Sequence, residues 1–287
     1  MKFAICQELF EPDAPPLTDW AEQCRIIAEV GYTGIEVAPF DLASVPAATL
    51  TEMRNTAERH GLEIIGLHWL LAKTNLTSPD AAVRTATADY LKLLADTCAA
   101  LGGRVLAGVF GSPQQRNLLA GVTTEQAMDF AAEVFRAAMP TFAERDVVLC
   151  MEPLTPKETD FINTCADAVA LMQMVDHPSF VLHQDVKAML LAESDVPELI
   201  HRHKDICGHF HVNDTNLLGP GMGETDYHPI LKALLEVGYD GWVSVEVFDY
   251  SPGAVEKIAK KSMDYMQQVL SDLYKAVSGV SGPPCDN

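Results

Sequence analysis

The sequence has little positive charge. Its 20 Lys and Arg residues stand against 40 Asp and Glu residues, which gives a formal net charge of −20. Nucleic-acid backbones and anionic membranes attract basic proteins, so this balance argues against either as a partner. The chain also lacks any apolar run near the roughly 18 residues that a membrane-spanning helix needs. We therefore expect no nucleic-acid partner and no membrane partner.

The cysteine pattern does not indicate a disulfide framework. The seven cysteines are odd in number and irregularly spaced, which favours reduced thiols. The opening segment MKFAICQELF does not have the pattern of a signal peptide. We therefore expect a cytoplasmic protein.

What the sequence does contain is a series of eight short apolar runs, each followed by a stretch with helical periodicity. Near-continuous apolar runs of this length are typical of parallel strands covered on both faces. The rival arrangement is an open doubly wound sheet, but no Gly-rich phosphate-binding loop follows the first run, which weakens its dinucleotide-binding version. The runs span residues 2–6, 34–38, 62–68, 104–110, 147–152, 180–185, 206–211 and 242–248.

Helix-capping residues delimit the intervening stretches. The stretch 18–31 ends at Gly31, the stretch 78–103 opens with Ser78 as N-cap, and the stretch 123–146 contains Pro140, where we expect a kink. Eight strand–helix units in a chain of 287 residues predict a single (β/α)8 TIM barrel. We expect the barrel to cover residues 1–276 and to be followed by a loose tail over 277–287.

Charged or imidazole side chains lie at the predicted carboxyl ends of several strands, which is the catalytic end of such barrels. Four of them come from the consecutive strands 5 to 8. Three carboxylates brought together there would repel one another unless a cation lay among them. Carboxylate oxygens with one imidazole suit Mn²⁺ or Mg²⁺, with Co²⁺ as a further option. The residues at these ends are Glu36, His68, Glu152, Asp185, His211 and Glu246.

The chain resembles the xylose-isomerase-like barrel superfamily, and within it the sugar-phosphate isomerase/epimerase group that includes the ketose (tagatose or psicose) 3-epimerases. The resemblance covers nearly the full chain, and its most specific segments are MEP (151–153), HQDVKAM (183–189), GHFHVND (208–214) and DGWVSVEVF (240–248). It implies one divalent metal ion, with Mn²⁺ as the first choice, held by Glu152, Asp185, His211 and Glu246.

The resemblance also implies a chemistry. Glu152 and Glu246 would be the acid/base pair that removes a proton beside a sugar carbonyl and returns one on the other face, through an enediolate whose charge the metal stabilises. The expected function is therefore metal-dependent 3-epimerisation of a ketose or ketose derivative, with a small-molecule sugar as the substrate. A homo-oligomer is left open.

The substrate-binding residues match the group only in part. Glu158 matches a Glu that contacts the metal-bound water and the substrate. A His and an Arg that grip the sugar in ketose 3-epimerases are replaced by Ala188 and Leu217, so we expect poor use of unmodified fructose or tagatose. The nearest polar substitutes are Lys187, Asn213 and Asp214, and Lys187 or Arg116 would suit a phosphate or carboxylate. The predicted substrate-binding set is His68, Glu158, Lys187, Arg116 and Asn213.

Several alternatives stay open. The same site could serve a lyase or dehydratase acting on a keto-sugar or inositol derivative, or an aldose–ketose or hydroxypyruvate-type isomerase. An endonuclease IV-like repair enzyme needs more His ligands and a basic groove, which the net charge disfavours. A non-catalytic sugar-binding barrel would not need both glutamates.

His183 and His209 alternate with Asp185 and His211 and so face the barrel interior, either supporting the metal site or filling the core. Glu36, taken alone, indicates a structural ion pair.

Overall fold

The computed structural model describes residues 1–7, 19–37, 45–67, 74–108 and 118–278. Within these residues, eight parallel strands pair in sequence order and close into a barrel through pairing of the first with the eighth. The predicted (β/α)8 barrel is confirmed, and the open doubly wound sheet is excluded. The strands are β1 (Lys2–Cys6), β2 (Gly34–Val37), β3 (Glu63–Leu67), β4 (Val105–Gly108), β5 (Val148–Met151), β6 (Phe180–Asp185), β7 (Cys207–Val212) and β8 (Trp242–Val245).

Helices surround the barrel, and a π-helical segment (Ala254–Ala259) precedes the last of them. None of the helices in the described ranges is long and apolar enough to cross a membrane. The helices are α1 (Trp20–Val30), α2 (Ala47–Arg59), α3 (Ala81–Ala100), α4 (Thr124–Glu144), α5 (Cys165–Val175), α6 (Val186–Ala192), α7 (Val196–His203), α8 (Tyr227–Glu236) and α9 (Lys260–Ser278).

The helix ends follow the local sequence with one correction. Helix α1 ends at Gly31, whose φ of 108° is the left-handed conformation that glycine adopts easily. The predicted N-cap Ser78 is wrong, because the Asp80 side chain accepts a hydrogen bond from Ala82 N at 2.8 Å and starts α3 there. Helix α4 continues through Pro140 to Glu144.

The last helix also extends beyond the predicted end of the barrel. Helix α9 ends at Ser278, so it includes the first two residues of the segment 277–287, for which we predict a loose tail. The remainder of that segment lies outside the described residues.

Strand periodicity divides the side chains into two sets. Leu182, Phe210 and Val243 belong to the large apolar cluster between sheet and helices, whereas Cys6 and Cys150 belong to a small separate cluster. In the carboxyl-terminal halves of β6 and β7 the alternate residues are histidines and an aspartate, and the pairing register places His183 beside His209 and Asp185 beside His211. Branched apolar residues usually fill the interior of such barrels. The polar side chains of β6 and β7 therefore mark this end of the barrel as the place of a candidate functional site.

Candidate metal centre

Four predicted ligands converge at the carboxyl end of the barrel. Glu152 directly follows β5, Asp185 ends β6, His211 lies near the end of β7, and Glu246 directly follows β8. One ligand atom from each lies within 4.8 Å of those of the other three. All four side chains are buried. The structure therefore brings together, in one cluster that could hold a metal ion, the residues that the sequence places there.

Asp185 is held in place from two sides. Its Oδ1 accepts a hydrogen bond from Ala188 N at 2.6 Å, because Asp185 is the N-cap of α6. Its Oδ2 accepts a hydrogen bond from Asn213 Nδ2, also at 2.6 Å. A carboxylate fixed in this way loses little conformational freedom when it binds a cation. Orienting a metal ligand by hydrogen bonds is the usual role of the residues around it.

Asn213, predicted to bind substrate, contacts Asp185 and Lys187 in the structure. The Asn213 side chain is fully buried, and its Oδ1 accepts a hydrogen bond from Lys187 N at 2.8 Å while its Nδ2 donates to Asp185. Asp214 is likewise engaged with its own loop, since its two oxygens accept hydrogen bonds from Thr215 N and Thr225 N. Asn213 therefore positions Asp185.

The two nitrogens of His211 face different groups. Nε2 lies 3.1 Å from Glu36 Oε2. Nδ1 lies 3.2 Å from Glu246 Oε2 and 4.0 Å from Asp185 Oδ2, and it makes no hydrogen bond within the described ranges. The imidazole thus presents Nδ1 to the carboxylates of the cluster and Nε2 to the barrel interior.

Unpartnered buried atoms test whether these residues fit a cation. Both Glu152 Oε2 and His211 Nδ1 are buried and lack a hydrogen-bond partner in the described part of the chain. Buried polar atoms left in this condition are costly and rare in proteins. A divalent cation would give both atoms a partner, and oxygen ligands with one imidazole are a donor set that such cations accept. The residues therefore fit a divalent cation.

The electrostatics of the cluster favour the same conclusion. Burial, followed by the negative charges of Glu246 and Asp185, raises the pKa of Glu152 well above its usual value. Burial disfavours a charged His211, but the carboxylates of Glu36 and Glu246 outweigh it and raise the pKa of this imidazole well above its usual value. A cation would relieve the repulsion between carboxylates, and a metal-binding imidazole nitrogen must give up its proton.

A layer of histidines lies beneath the cluster, which answers a question that the sequence leaves open. His209 Nε2 lies 2.7 Å from Glu36 Oε1, and His183 Nδ1 lies 3.7 Å from Glu152 Oε2. The rings of His183, His209 and His211 pack edge to face, with centroids 4.1 to 5.0 Å apart. Both histidines therefore contact groups of the candidate metal centre or the carboxylate behind it.

Glu36 is the functional candidate whose partner the sequence does not reveal. It is fully buried in β2, and it contacts His209 and His211. Burial opposes ionisation of Glu36, but the positive charges of His211 and His209 outweigh it and hold its pKa well below the usual value. The one available signal is a charged residue inside the buried strand segment GIEV.

Lys187 and Glu158 lie together near the candidate metal centre. Lys187 Nζ is 3.2 Å from Glu158 Oε1 and 3.8 Å from the centroid of the Phe248 ring. Thr155 donates hydrogen bonds from its N and Oγ1 to Glu158 Oε2. Burial disfavours a charged Lys187, but the carboxylates of Asp185 and Glu158 raise its pKa. This ammonium group therefore faces the acidic cluster.

Two residues, Ala188 and Leu217, differ from the ketose 3-epimerase pattern, and neither has a side chain that can form a hydrogen bond. Ala188 is buried in the first turn of α6. Leu217 has a side chain exposed to 43% and a φ of 71°, which is uncommon for a leucine. Its carbonyl accepts hydrogen bonds from Phe248 N and Asp249 N. Two further predicted substrate-binding residues, His68 and Arg116, lie outside the described residues.

Comparisons with known proteins agree with this fold. A model of the family described as xylose isomerase-like TIM barrel matches residues 24–269. The chain belongs to this family. It is 26% identical over 275 residues to a D-psicose 3-epimerase of Ruminiclostridium cellulolyticum, a match that covers 88% of this chain and 92% of that protein. It is 25% identical over 230 residues to an L-ribulose 3-epimerase of Methylomonas sp., covering 77% of this chain and 76% of that protein.

A solved structure gives the same result for the fold. The crystal structure of D-psicose 3-epimerase with D-tagatose from Clostridium cellulolyticum H10 superimposes with a TM-score of 0.84. The match covers 94% of this chain and 99% of that one, at 22% sequence identity. The predicted resemblance to ketose 3-epimerases within the xylose-isomerase-like superfamily is therefore confirmed.

Proposed function

We propose that the protein is an enzyme, a divalent-metal-dependent ketose 3-epimerase that holds one cation between Glu152, Asp185, His211 and Glu246. The observation that carries this proposal is the convergence of three buried carboxylates and one imidazole at the ends of β5 to β8. The relatives named above act on ketoses as 3-epimerases, which supports the same reaction here. Mn²⁺ is the proposed cation, with Mg²⁺ and Co²⁺ as alternatives.

The chain supplies the acid and the base from separate strands. Glu152 follows β5 and Glu246 follows β8, and these strands are not neighbours in the barrel. A sugar bound between them would present one face of its reacting carbon to each carboxylate. One glutamate would take the proton beside the carbonyl, and the other would deliver a proton to the opposite face. A bound divalent cation would supply Lewis-acid polarisation of the sugar oxygens.

Lys187 and Glu158 are the proposed substrate-binding residues among those described. Lys187 is buried, so its ammonium group is held by Glu158 and Phe248 rather than by water. It is placed to donate hydrogen bonds to a sugar oxygen in the acidic site. His68 and Arg116 remain predictions of the same kind.

The proposed substrate is a ketose derivative in preference to free fructose or tagatose. Ala188 and Leu217 do not offer the two polar grips of the ketose 3-epimerase group. A buried sugar hydroxyl without a partner costs about 1–3 kcal/mol, so two such losses would reduce the efficiency by orders of magnitude. We also propose a cytoplasmic location, which the six free cysteines of the described residues support.

A panel of ketoses tests this function. The Mn²⁺-loaded protein is incubated in deuterated water with free ketoses, phosphorylated ketoses and keto-sugar derivatives, and deuterium at the reacting carbon is measured together with the products. We expect a 3-epimer with deuterium at carbon 3 from a ketose derivative. Elimination products would assign a lyase or dehydratase, an aldose would assign an aldose–ketose isomerase, and efficient 3-epimerisation of free fructose or tagatose would contradict the substrate proposal.

A further inference from the structure

The imidazole of His211 can serve as a ligand only in one of its two neutral forms. A neutral imidazole has one nitrogen that carries a proton and one that carries a lone pair. Nδ1 is the nitrogen that faces the cluster, since it lies 3.2 Å from Glu246 Oε2. For Nδ1 to bind a cation, the proton must be on Nε2, and something must hold it there.

Glu36 is placed to hold that proton. Its two oxygens lie 3.3 Å and 3.1 Å from His211 Nε2, and Oε1 also lies 2.7 Å from His209 Nε2. An ionised carboxylate only accepts hydrogen bonds. Where these contacts are hydrogen bonds to an ionised Glu36, both imidazoles carry a proton on Nε2, and Nδ1 of His211 is the nitrogen that can give up its proton to a cation.

We propose that Glu36 is a positioning residue for the metal centre, which fixes His211 as the Nε2-protonated tautomer so that its Nδ1 is the metal ligand. The proposal rests on the function proposed above, because it assumes a cation among the four ligands. Glu36 is not one of the four proposed ligands Glu152, Asp185, His211 and Glu246. It acts from across the barrel interior, since β2 and β7 are not neighbouring strands.

A purely structural role for Glu36 makes different predictions. A buried carboxylate that only paired with His209 would affect the stability of the fold and leave the affinity for metal unchanged. A residue that fixes the His211 tautomer affects metal affinity even where the fold is intact. Replacement by Gln separates the two roles, because the amide can donate to an imidazole nitrogen as well as accept from one and so permits both tautomers.

The first test compares the Mn²⁺ affinities of four proteins, read from the electron paramagnetic resonance signal of free Mn²⁺. These are the wild type, Glu36→Gln, Glu36→Asp and Glu63→Gln; Glu63 is an exposed glutamate at the opposite end of the barrel. We expect Glu36→Gln to bind Mn²⁺ about 10–100-fold more weakly, as for other groups that orient metal ligands. Glu36→Asp keeps a carboxylate and should recover part of this loss, and Glu63→Gln should match the wild type.

The outcomes distinguish the two proposals. Equal Mn²⁺ affinity in the folded Glu36→Gln variant and the wild type would overturn the role of Glu36 and leave the proposed function standing. A wild-type protein that binds neither Mn²⁺ nor Mg²⁺ would overturn both. Circular dichroism and thermal melting establish whether each variant is folded.

The second test remains decisive if Glu36→Gln does not fold. Long-range ¹H–¹⁵N spectra of the wild type, labelled with ¹⁵N at histidine and loaded with diamagnetic Mg²⁺, report which ring nitrogen carries the proton. The His211 signals are identified by their change between the metal-free and the loaded protein. We expect the proton of His211 on Nε2, and the same for His209. A proton on Nδ1 of His211 would overturn the proposal.

Discussion

The two ends of the barrel hold glutamates in opposite settings. At the amino end, Glu63 begins β3 with a side chain exposed to 66%, and it lies 3.2 Å from Lys2 Nζ. At the carboxyl end, Glu152 and Glu246 are each 4% exposed, and in the described part of the chain neither forms an ion pair with Lys or Arg. The same residue type is thus paired and hydrated at one end, and buried among like charges at the other.

This difference separates groups that serve the fold from groups that serve a ligand. An exposed ion pair contributes little stability and costs little. Buried carboxylates that repel one another reduce stability, so they indicate a site whose geometry is kept for binding. In barrels of this kind, chemistry lies at the carboxyl end and the amino end contributes to stability. Each of the following predictions tests this contrast.

The largest effect is expected from removing the charge of either candidate catalytic glutamate. Glu152→Gln and Glu246→Gln should each lower turnover by roughly 10²–10⁴-fold, the usual contribution of a general acid or base. Metal content is measured in each variant, because a lost cation would also lower turnover. Near-normal turnover in either variant would show that its glutamate is not an essential acid or base.

Removal of the cation should destabilise the protein, because the buried carboxylates then repel one another. Mn²⁺ at about 100 times its Kd would stabilise the folded state by roughly 2.7 kcal/mol, which corresponds to a rise in Tm of roughly 5–10 °C. Differential scanning fluorimetry with a chelator and with added Mn²⁺ measures this rise. The Asp185→Asn variant, which removes a ligand charge, should show little of it, and an equal rise in that variant would place the cation elsewhere.

A smaller effect is expected from the residue that positions Asp185. Asn213→Ala removes the hydrogen bonds to Asp185 Oδ2 and Lys187 N, and it should weaken Mn²⁺ binding by about 10–100-fold. Asn216→Ala is the matched control, since Asn216 is exposed and its side chain forms hydrogen bonds with Met222 O and Leu218 N, two backbone groups of its own loop. If the two variants bind Mn²⁺ equally well, Asn213 has no part in positioning the ligand.

The smallest effect is expected at the amino end. Lys2→Ala removes the exposed ion pair with Glu63. It also removes the contact between Lys2 Nζ and the Trp242 ring, whose centroid lies 4.0 Å away. We expect a loss of less than about 1 kcal/mol in the free energy of unfolding, measured by urea denaturation, with unchanged turnover. A large loss of turnover would show that the amino end of the barrel also contributes to activity, contrary to the contrast between the two ends.

The sequence by itself determined the barrel and the four converging residues. Apolar runs of strand length, alternating with capped helices, define the (β/α)8 order, and parallel strands all present their carboxyl ends on one side. Once Glu152, Asp185, His211 and Glu246 are placed at the ends of consecutive strands, their proximity follows from local pattern and sheet geometry. Local rules were less successful at Ser78, where two neighbouring polar residues compete to cap one helix.

Only the tertiary structure decided what surrounds these four residues. The sequence predicts Asn213 as a substrate-binding residue, and only the structure shows that its two side-chain polar atoms form hydrogen bonds with Asp185 and Lys187. Glu36 and His209 are 173 residues apart in the chain, on strands that do not pair. Their contact exists because closure of the barrel brings opposite strands within reach across its interior. A sequence pattern records which face a side chain takes, whereas the partner across the barrel depends on how all eight strands close.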